Sequence, residues 1–126
     1  MLAFNKPFVA NGAARVLRLW YRGKLFRTYA HDGKPVKIYK VPELFRPTVQ
    51  GFTMGDNVFI LDKEYAPGLE LAKLLHHEYV HVDQYRRMGF WGVRFLIVYS
   101  FYHLKYGYTD NPLEIEARVA EHRDVS

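Results

Sequence analysis

The chain has no cysteine. Disulfides and thiolate metal sites are therefore excluded, and any bound metal must be held by nitrogen and oxygen ligands. Long apolar runs are also missing. The most apolar stretch, residues 90–102, contains Arg94 and spans about thirteen residues, short of the ~20 that a membrane-crossing helix needs. The first residues, Met1-Leu2-Ala3-Phe4-Asn5-Lys6-Pro7-Phe8, lack a basic start followed by an apolar run, so they do not read as a signal peptide. With neither feature legible, the default expectation is a cytoplasmic protein. Internal repeats, low-complexity tracts and linkers are absent too, which leaves residues 1–126 as one domain.

Acidic residues are the minority, 13 against 18 basic, for a net charge of +5. The excess lies early: Arg15, Arg18, Arg22, Lys24, Arg27, Lys34, Lys37 and Lys40 outnumber Asp32 in that stretch. This basic third reads either as a solvated face or as an attraction to an acidic surface or the periphery of a membrane, where Phe90 and Trp91 could also sit. No nucleic-acid-binding motif accompanies it, so nucleic acid is not an expected partner.

Apolar residues make up 49% and aromatics 17% of the chain, enough for one modest core. Residues 13–30 read as an amphipathic helix, or as a helix leading into a strand. His31-Asp32-Gly33-Lys34-Pro35 is a turn, and Val36–Val41 alternates as a strand that Pro42 ends. Gly51–Leu61 reads as two short strands around Gly55-Asp56-Asn57, or one strand with a bulge. A helix follows, opening after Ala66-Pro67-Gly68, with apolar residues at 71, 74, 75, 79, 82 and 85 and Gly89 as its stop. A second long helix spans about 90–105, with Gly107 near its end. Asn111 caps a short last helix that Pro112 begins and that runs to about 122. Mixed helix and strand followed by helices is an α+β order.

Inside the middle helix lies His77-Glu78-Tyr79-Val80-His81, an H-E-x-x-H sequence. Helical residues four apart stand about 40° apart on one face, roughly 5–6 Å between Cβ atoms. Two imidazoles at that spacing can bind one Zn²⁺, and the intervening glutamate leans toward the open side, where a water would sit. His76 has Val80 at i+4 and so has no second metal ligand on this turn. The bland alternative is a polar helix face carrying two histidines by chance.

A catalytic zinc needs a third protein ligand. His31, Asp83, His103, Asp110, Glu114, Glu116 and His122 are the available ones. Asp83 points to another face of its helix, and His103 in Phe101-Tyr102-His103 reads as packing. The metzincin spacing is excluded, because residues 82–87 are Val-Asp-Gln-Tyr-Arg-Arg. Glu114 and Glu116 remain, about 200° apart on one helix, so only one can face a metal. Glu114 is also the N3 position of a capping box on Asn111. Glu116 falls within the apolar arc of Leu113, Val119 and Ala120, and that pattern favours it as the buried carboxylate.

His77-Glu78-x-x-His81, followed about thirty residues later by Asn111-Pro112-x-Glu114-x-Glu116-Ala117, resembles the gluzincin metallopeptidases, above all the small single-domain minigluzincins. The likeness spans roughly residues 50–120. It implies a zincin-like fold, zinc held by His77, His81 and Glu114, and Glu78 as general base for hydrolysis of a peptide or protein substrate. Gluzincins often add a Tyr or His near the oxyanion; His103, Tyr106 and Tyr108 are available here. The strand before the zinc helix pairs with substrate in that family, which implies Thr53 to Phe59 as the substrate-binding strand. The chain departs from the pattern at Arg118, where an Asp would support a zinc-bound His, so Glu116 or Asp110 would have to serve. Minigluzincins are also known for latency, and the tail His122–Ser126 carries side chains able to cover a metal. The alternative is a zinc-binding structural or interaction protein without turnover.

Overall fold

The computed structural model of the chain describes residues 8–31, 33–44, 50–63 and 69–123. They form α1 (Phe8–Trp20), β1 (Lys24–His31), β2 (Lys34–Val41), β3 (Gly51–Met54), β4 (Asn57–Leu61), α2 (Leu69–Met88), α3 (Val93–Tyr106) and α4 (Pro112–Arg123), with a 3-10 turn at Phe90–Gly92. The architecture is α+β, as expected. Of the two readings of residues 13–30, the helix leading into a strand is the one observed. The expected helix over 90–105 is broken by the 3-10 turn, where Gly92 takes a left-handed φ of 88° that glycine adopts without strain. Asp32 of the expected turn and the Ala66-Pro67-Gly68 helix opening lie outside the described residues.

The four strands form one mixed sheet in the order β1-β2-β4-β3. β1 and β2 are an antiparallel hairpin, with a register shift between Leu25 and Arg27. β2 and β4 run parallel, and β3 and β4 are antiparallel around Gly55-Asp56. Gly55 has a φ of 67°, and a Cβ there would collide with the Asn11 side chain; only glycine suits this turn.

Side-chain alternation gives the sheet two apolar faces. Val36, Ile38, Val58 and Ile60 point to α2 and pack against Leu75 and Val82. Tyr39, Val41 and Phe59 point the other way and meet Ala14 of α1. Phe59 stacks on Phe52 at 4.8 Å and on Tyr39 at 5.4 Å between ring centroids. A third cluster, Ala10, Tyr85, Phe95 and Leu113, lies where α1, α2, α3 and α4 converge. α4 packs along α2, and β3 lies against α2. These last two contacts bring the sheet edge and the last helix to the same stretch of α2. No described helix is long and apolar enough to cross a membrane.

Candidate metal centre

α2 places His77 and His81 one turn apart with ring centroids at 5.1 Å. The helix ends at Met88, where the Gly89 N–H donates to the Tyr85 carbonyl at 3.2 Å and Gly89 takes the positive φ of a C′ glycine. Asn111 caps α4: its Oδ1 accepts from the Leu113 N–H at 3.0 Å. That cap sets the phase of α4, so that Leu113, Glu114 and Ala117 are buried and Ile115 and Glu116 are exposed.

Glu114 is thereby aimed at both histidines. Its Oε1 lies 2.9 Å from His77 Nε2 and 2.6 Å from His81 Nε2. The expected capping-box turn back to Asn111 is not what this side chain does. The apolar arc also misled about Glu116, whose side chain is 47% exposed and pairs with Arg87 at 3.2 Å. The phase set by the Asn111 cap, not the apolar arc, decides which glutamate of this short helix is buried. His77, His81 and Glu114 are all buried, and their ligand atoms lie within 4.8 Å of one another. Three N and O donors converging on one point can hold a metal ion, and their chemistry fits one.

The electrostatics fit the same use. Burial opposes the charge of Glu114, but hydrogen bonds from His77 and His81 outweigh it and hold the carboxyl far below its ordinary range. Burial disfavours the charged form of His81 as well, yet the bond to Glu114 and the charges of Glu78 and Glu114 raise it. A carboxylate that stays ionised at the centre of the group is what a cation needs.

Glu78 is 3% exposed and sits beside the group rather than in it. Burial pushes its carboxyl above the ordinary range, against the pull of His81, His77 and the Thr53 hydroxyl. Thr53 Oγ1 donates to Glu78 Oε1 at 2.9 Å and contacts the Glu78 carbonyl at 3.1 Å. Gly51, on the same strand face, is so close that a Cβ there would stand 3.5 Å from Glu78 Oε2 and 3.0 Å from the Phe59 carbonyl. Tyr85 pins this strand to α2 by donating to the Thr53 carbonyl at 3.2 Å.

The expected strand of Thr53 to Phe59 divides here. Thr53 lies on β3, which has no neighbour beyond β4 among the described strands. Phe59 lies on β4, between Tyr39 of β2 and Phe52 of β3. Its backbone is paired on both sides and its side chain is buried on the α1 face, so within Thr53 to Phe59 an added strand could pair only along β3.

Of the remaining expected residues, His31 pairs with Asp83 at 2.8 Å and stacks on Tyr79, away from the group. His103 lies parallel to Tyr99 at 6.4 Å. Asp110 and Tyr106 are exposed. Tyr108 faces Glu114 and Glu78: burial, then their charges, push its hydroxyl up to about 12. The side chains of His122 and Arg123, and residues 124–126, lie outside what is described, as does the covering role expected of that tail.

Two participants escaped the sequence. Tyr99 donates to Glu114 Oε2 at 2.9 Å, and Gln84 meets His81 Nδ1 through Oε1 at 2.8 Å. Gln84 had a legible signal, since it lies three residues after His81 on the same face. Tyr99 had none, because ten tyrosines are too many to separate by spacing.

A family model described as the eCIS core domain matches residues 21–89, more than half of the chain. The match runs from β1 to the end of α2 and includes His77, Glu78 and His81, but stops short of Glu114. Comparison with curated proteins gives no match, and neither does comparison with solved structures.

Proposed function

The chain belongs to the eCIS core domain family, and we propose that it is a zinc-dependent metallopeptidase with a zincin-like fold. The observation that carries this reading is Glu114: it comes from a different helix to meet both histidines of the H-E-x-x-H turn, while Glu78 stays beside them. His₂Glu with a neighbouring buried carboxylate is a hydrolytic donor set. When bound, zinc supplies Lewis-acid polarisation and lowers the pKa of water toward neutrality.

The chain's own residues supply the rest. Glu78 takes the proton of the attacking water and returns it to the leaving amine. Its raised proton affinity suits both halves of that task. Thr53 fixes the carboxylate from the strand side. Tyr99 fixes Glu114, and Tyr108, coupled to the same carboxylate, is the hydroxyl we assign to the developing oxyanion. β3 offers the backbone edge on which an extended peptide could pair. The family description refers to the extracellular contractile injection system, so the setting we propose for this activity is that of such a system.

A second reading has its own observation. The contacts of Glu114 with His77 and His81 join α4 to α2, so a metal there could staple the last helix without any turnover. One experiment separates the two: metal content and cleavage of an unstructured protein, measured on wild type, Glu78→Ala and Glu114→Ala. The peptidase reading expects about one zinc per chain in wild type and Glu78→Ala, less in Glu114→Ala, and chelator-sensitive cleavage by wild type alone. Zinc with no cleavage leaves the staple.

A further inference from the structure

We infer that Gln84 is a positioning residue that fixes which imidazole nitrogen of His81 faces Glu114 and a bound metal, and that Glu116 holds Gln84 to this task. The inference rests on the metal-binding part of the proposed function and not on turnover.

The hydrogen-bond roles close without choice. Gln84 Nε2 lies 3.0 Å from the Leu113 carbonyl and 3.0 Å from Glu116 Oε1. A backbone carbonyl and a carboxylate can only accept. The two amide hydrogens of Gln84 are therefore spent on them, and its Oε1, also only an acceptor, is the atom that meets His81 Nδ1. Nδ1 must then carry a proton. Nε2, which lies 2.6 Å from Glu114 Oε1, is then the nitrogen that donates to that carboxylate while protonated and that offers its lone pair to a metal once the proton is lost. A free imidazole chooses between two tautomers; this one has its choice made by an amide that cannot turn over without setting its hydrogens against the His81 N–H and its oxygen against two acceptors.

The arrangement also explains how the site works without an Asp at 118. Arg118 turns away and donates to the Thr109 carbonyl, so the outer partner of His81 comes from α2 itself. Gln84 is fully buried, whereas Glu116 is half-exposed and receives a further bond from Arg87 at 3.2 Å. The chain of contacts runs from Arg87 through Glu116 and Gln84 to His81, crossing from α2 to α4 and back. The docking of α4 thus sets both the third ligand and the orientation of the second.

The test uses the full chain with ¹⁵N-labelled histidine and zinc affinity measured by chelator competition. In zinc-loaded wild type, His81 should show a slowly exchanging Nδ1–H and ligation through Nε2. Gln84→Leu should bind zinc about 10–100-fold more weakly and lose the protected Nδ1–H signal. Gln84→Glu sets a carboxylate against Glu116 and the Leu113 carbonyl and should also weaken binding, whereas Gln84→Glu with Glu116→Gln should recover the part due to Glu116, which a merely structural role would not predict. Should Gln84→Leu fail to fold, Glu116→Ala keeps the test alive, because that side chain is half-exposed; it should weaken zinc binding by less than the loss of Gln84. The inference is overturned if Gln84→Leu and Glu116→Ala bind zinc like wild type, or if His81 ligates through Nδ1. Failure of wild type to bind zinc overturns it together with the proposed function, whereas binding without cleavage overturns only the peptidase.

Discussion

The two faces of the sheet are made by the same strands yet obey different rules. Toward α1, β3 and β4 present Phe52 and Phe59, which stack with Tyr39. That face is packed by apolar rings, with Asn11 of α1 bonded to Asp56 and Asn57 at its margin, and the α1 helix covering it exposes Val16, Leu19 and Trp20. Toward α2, β3 presents Gly51 and Thr53 to Glu78. Here Thr53, His77, Glu78, His81, Gln84, Asn111 and Glu114 are all buried polar groups. Burying that many polar atoms is costly unless each finds a partner, and here the partners come from four elements, β3, α2, α3 and α4. Both faces carry an apolar cluster; the α2 face adds to its own a poised polar group, at a cost in stability.

The largest effects should separate the faces cleanly. Phe59→Ala removes a fully buried ring and should cost about 3–5 kcal/mol of stability, read by denaturant unfolding, while the fraction that remains folded binds zinc with unchanged affinity. Glu114→Gln should do the reverse. It keeps the shape, removes the charge between the histidines, and should reduce zinc affinity by more than about a hundredfold, since loss of an outer partner alone costs 10–100-fold. If Phe59→Ala changes zinc affinity in the folded fraction, the faces are coupled and the comparison fails.

A metal titration at two pH values sharpens the contrast. In the metal-free chain the His81 pKa is raised, so its stabilising contribution is complete below the unfolded value near 6.5 and is lost as pH rises through the folded value. The Glu114 pKa is lowered, so its contribution is present above about 4.5 and is lost only in strong acid. Between these limits, protonated His81 partners Glu114. As pH rises that proton leaves, Glu114 loses its counter-charge, and protons compete less with metal. The rise in Tm on adding zinc should therefore be larger at pH 8 than at pH 6. Saturation at a hundred times Kd would contribute about 2.7 kcal/mol. An equal rise at both pH values would mean that the His81–Glu114 pair does not govern the site.

How much of this was legible in the sequence follows the same division. The helix of the H-E-x-x-H turn, its stop at Gly89, the Gly55-Asp56 hairpin and the Asn111 cap are local signals, and each sits where residue chemistry put it. The choice between Glu114 and Glu116 was not local. Helix periodicity favoured Glu116 because it counts Leu113, Val119 and Ala120 as one arc. In the fold Val119 is exposed, and the buried stripe is Leu113, Ala117 and Ala120 with Glu114 beside it. The Asn-Pro-x-Glu resemblance carried the information that periodicity lacked. Strand order was hidden too: nothing in Val58-Phe59-Ile60 says that β4 lies inside the sheet and β3 at its edge, since that depends on β2 pairing in parallel across a connection. Gln84 was within reach of His81 on α2 itself, whereas Tyr99 became visible only when α3 closed over α2.

The smallest of these effects tests how finely the polar face is tuned. Thr53 Oγ1 donates to Glu78, and this bond is one of the interactions that pull the Glu78 pKa down against burial. Thr53→Val keeps the shape and removes the hydroxyl. A net hydrogen bond is worth about 0.5–1.5 kcal/mol, and one pKa unit corresponds to about 1.36 kcal/mol. The Glu78 pKa should therefore rise further, by about half a unit to one unit. A general base must be ionised to act, so the acid limb of the kcat/KM profile should move to higher pH by that amount, with zinc content unchanged. A shift to lower pH would mean that Thr53 stabilises the protonated carboxyl. No shift, with folding intact, would mean that Glu78 is not the group whose ionisation limits cleavage, and the polar face would then be tuned for the metal alone.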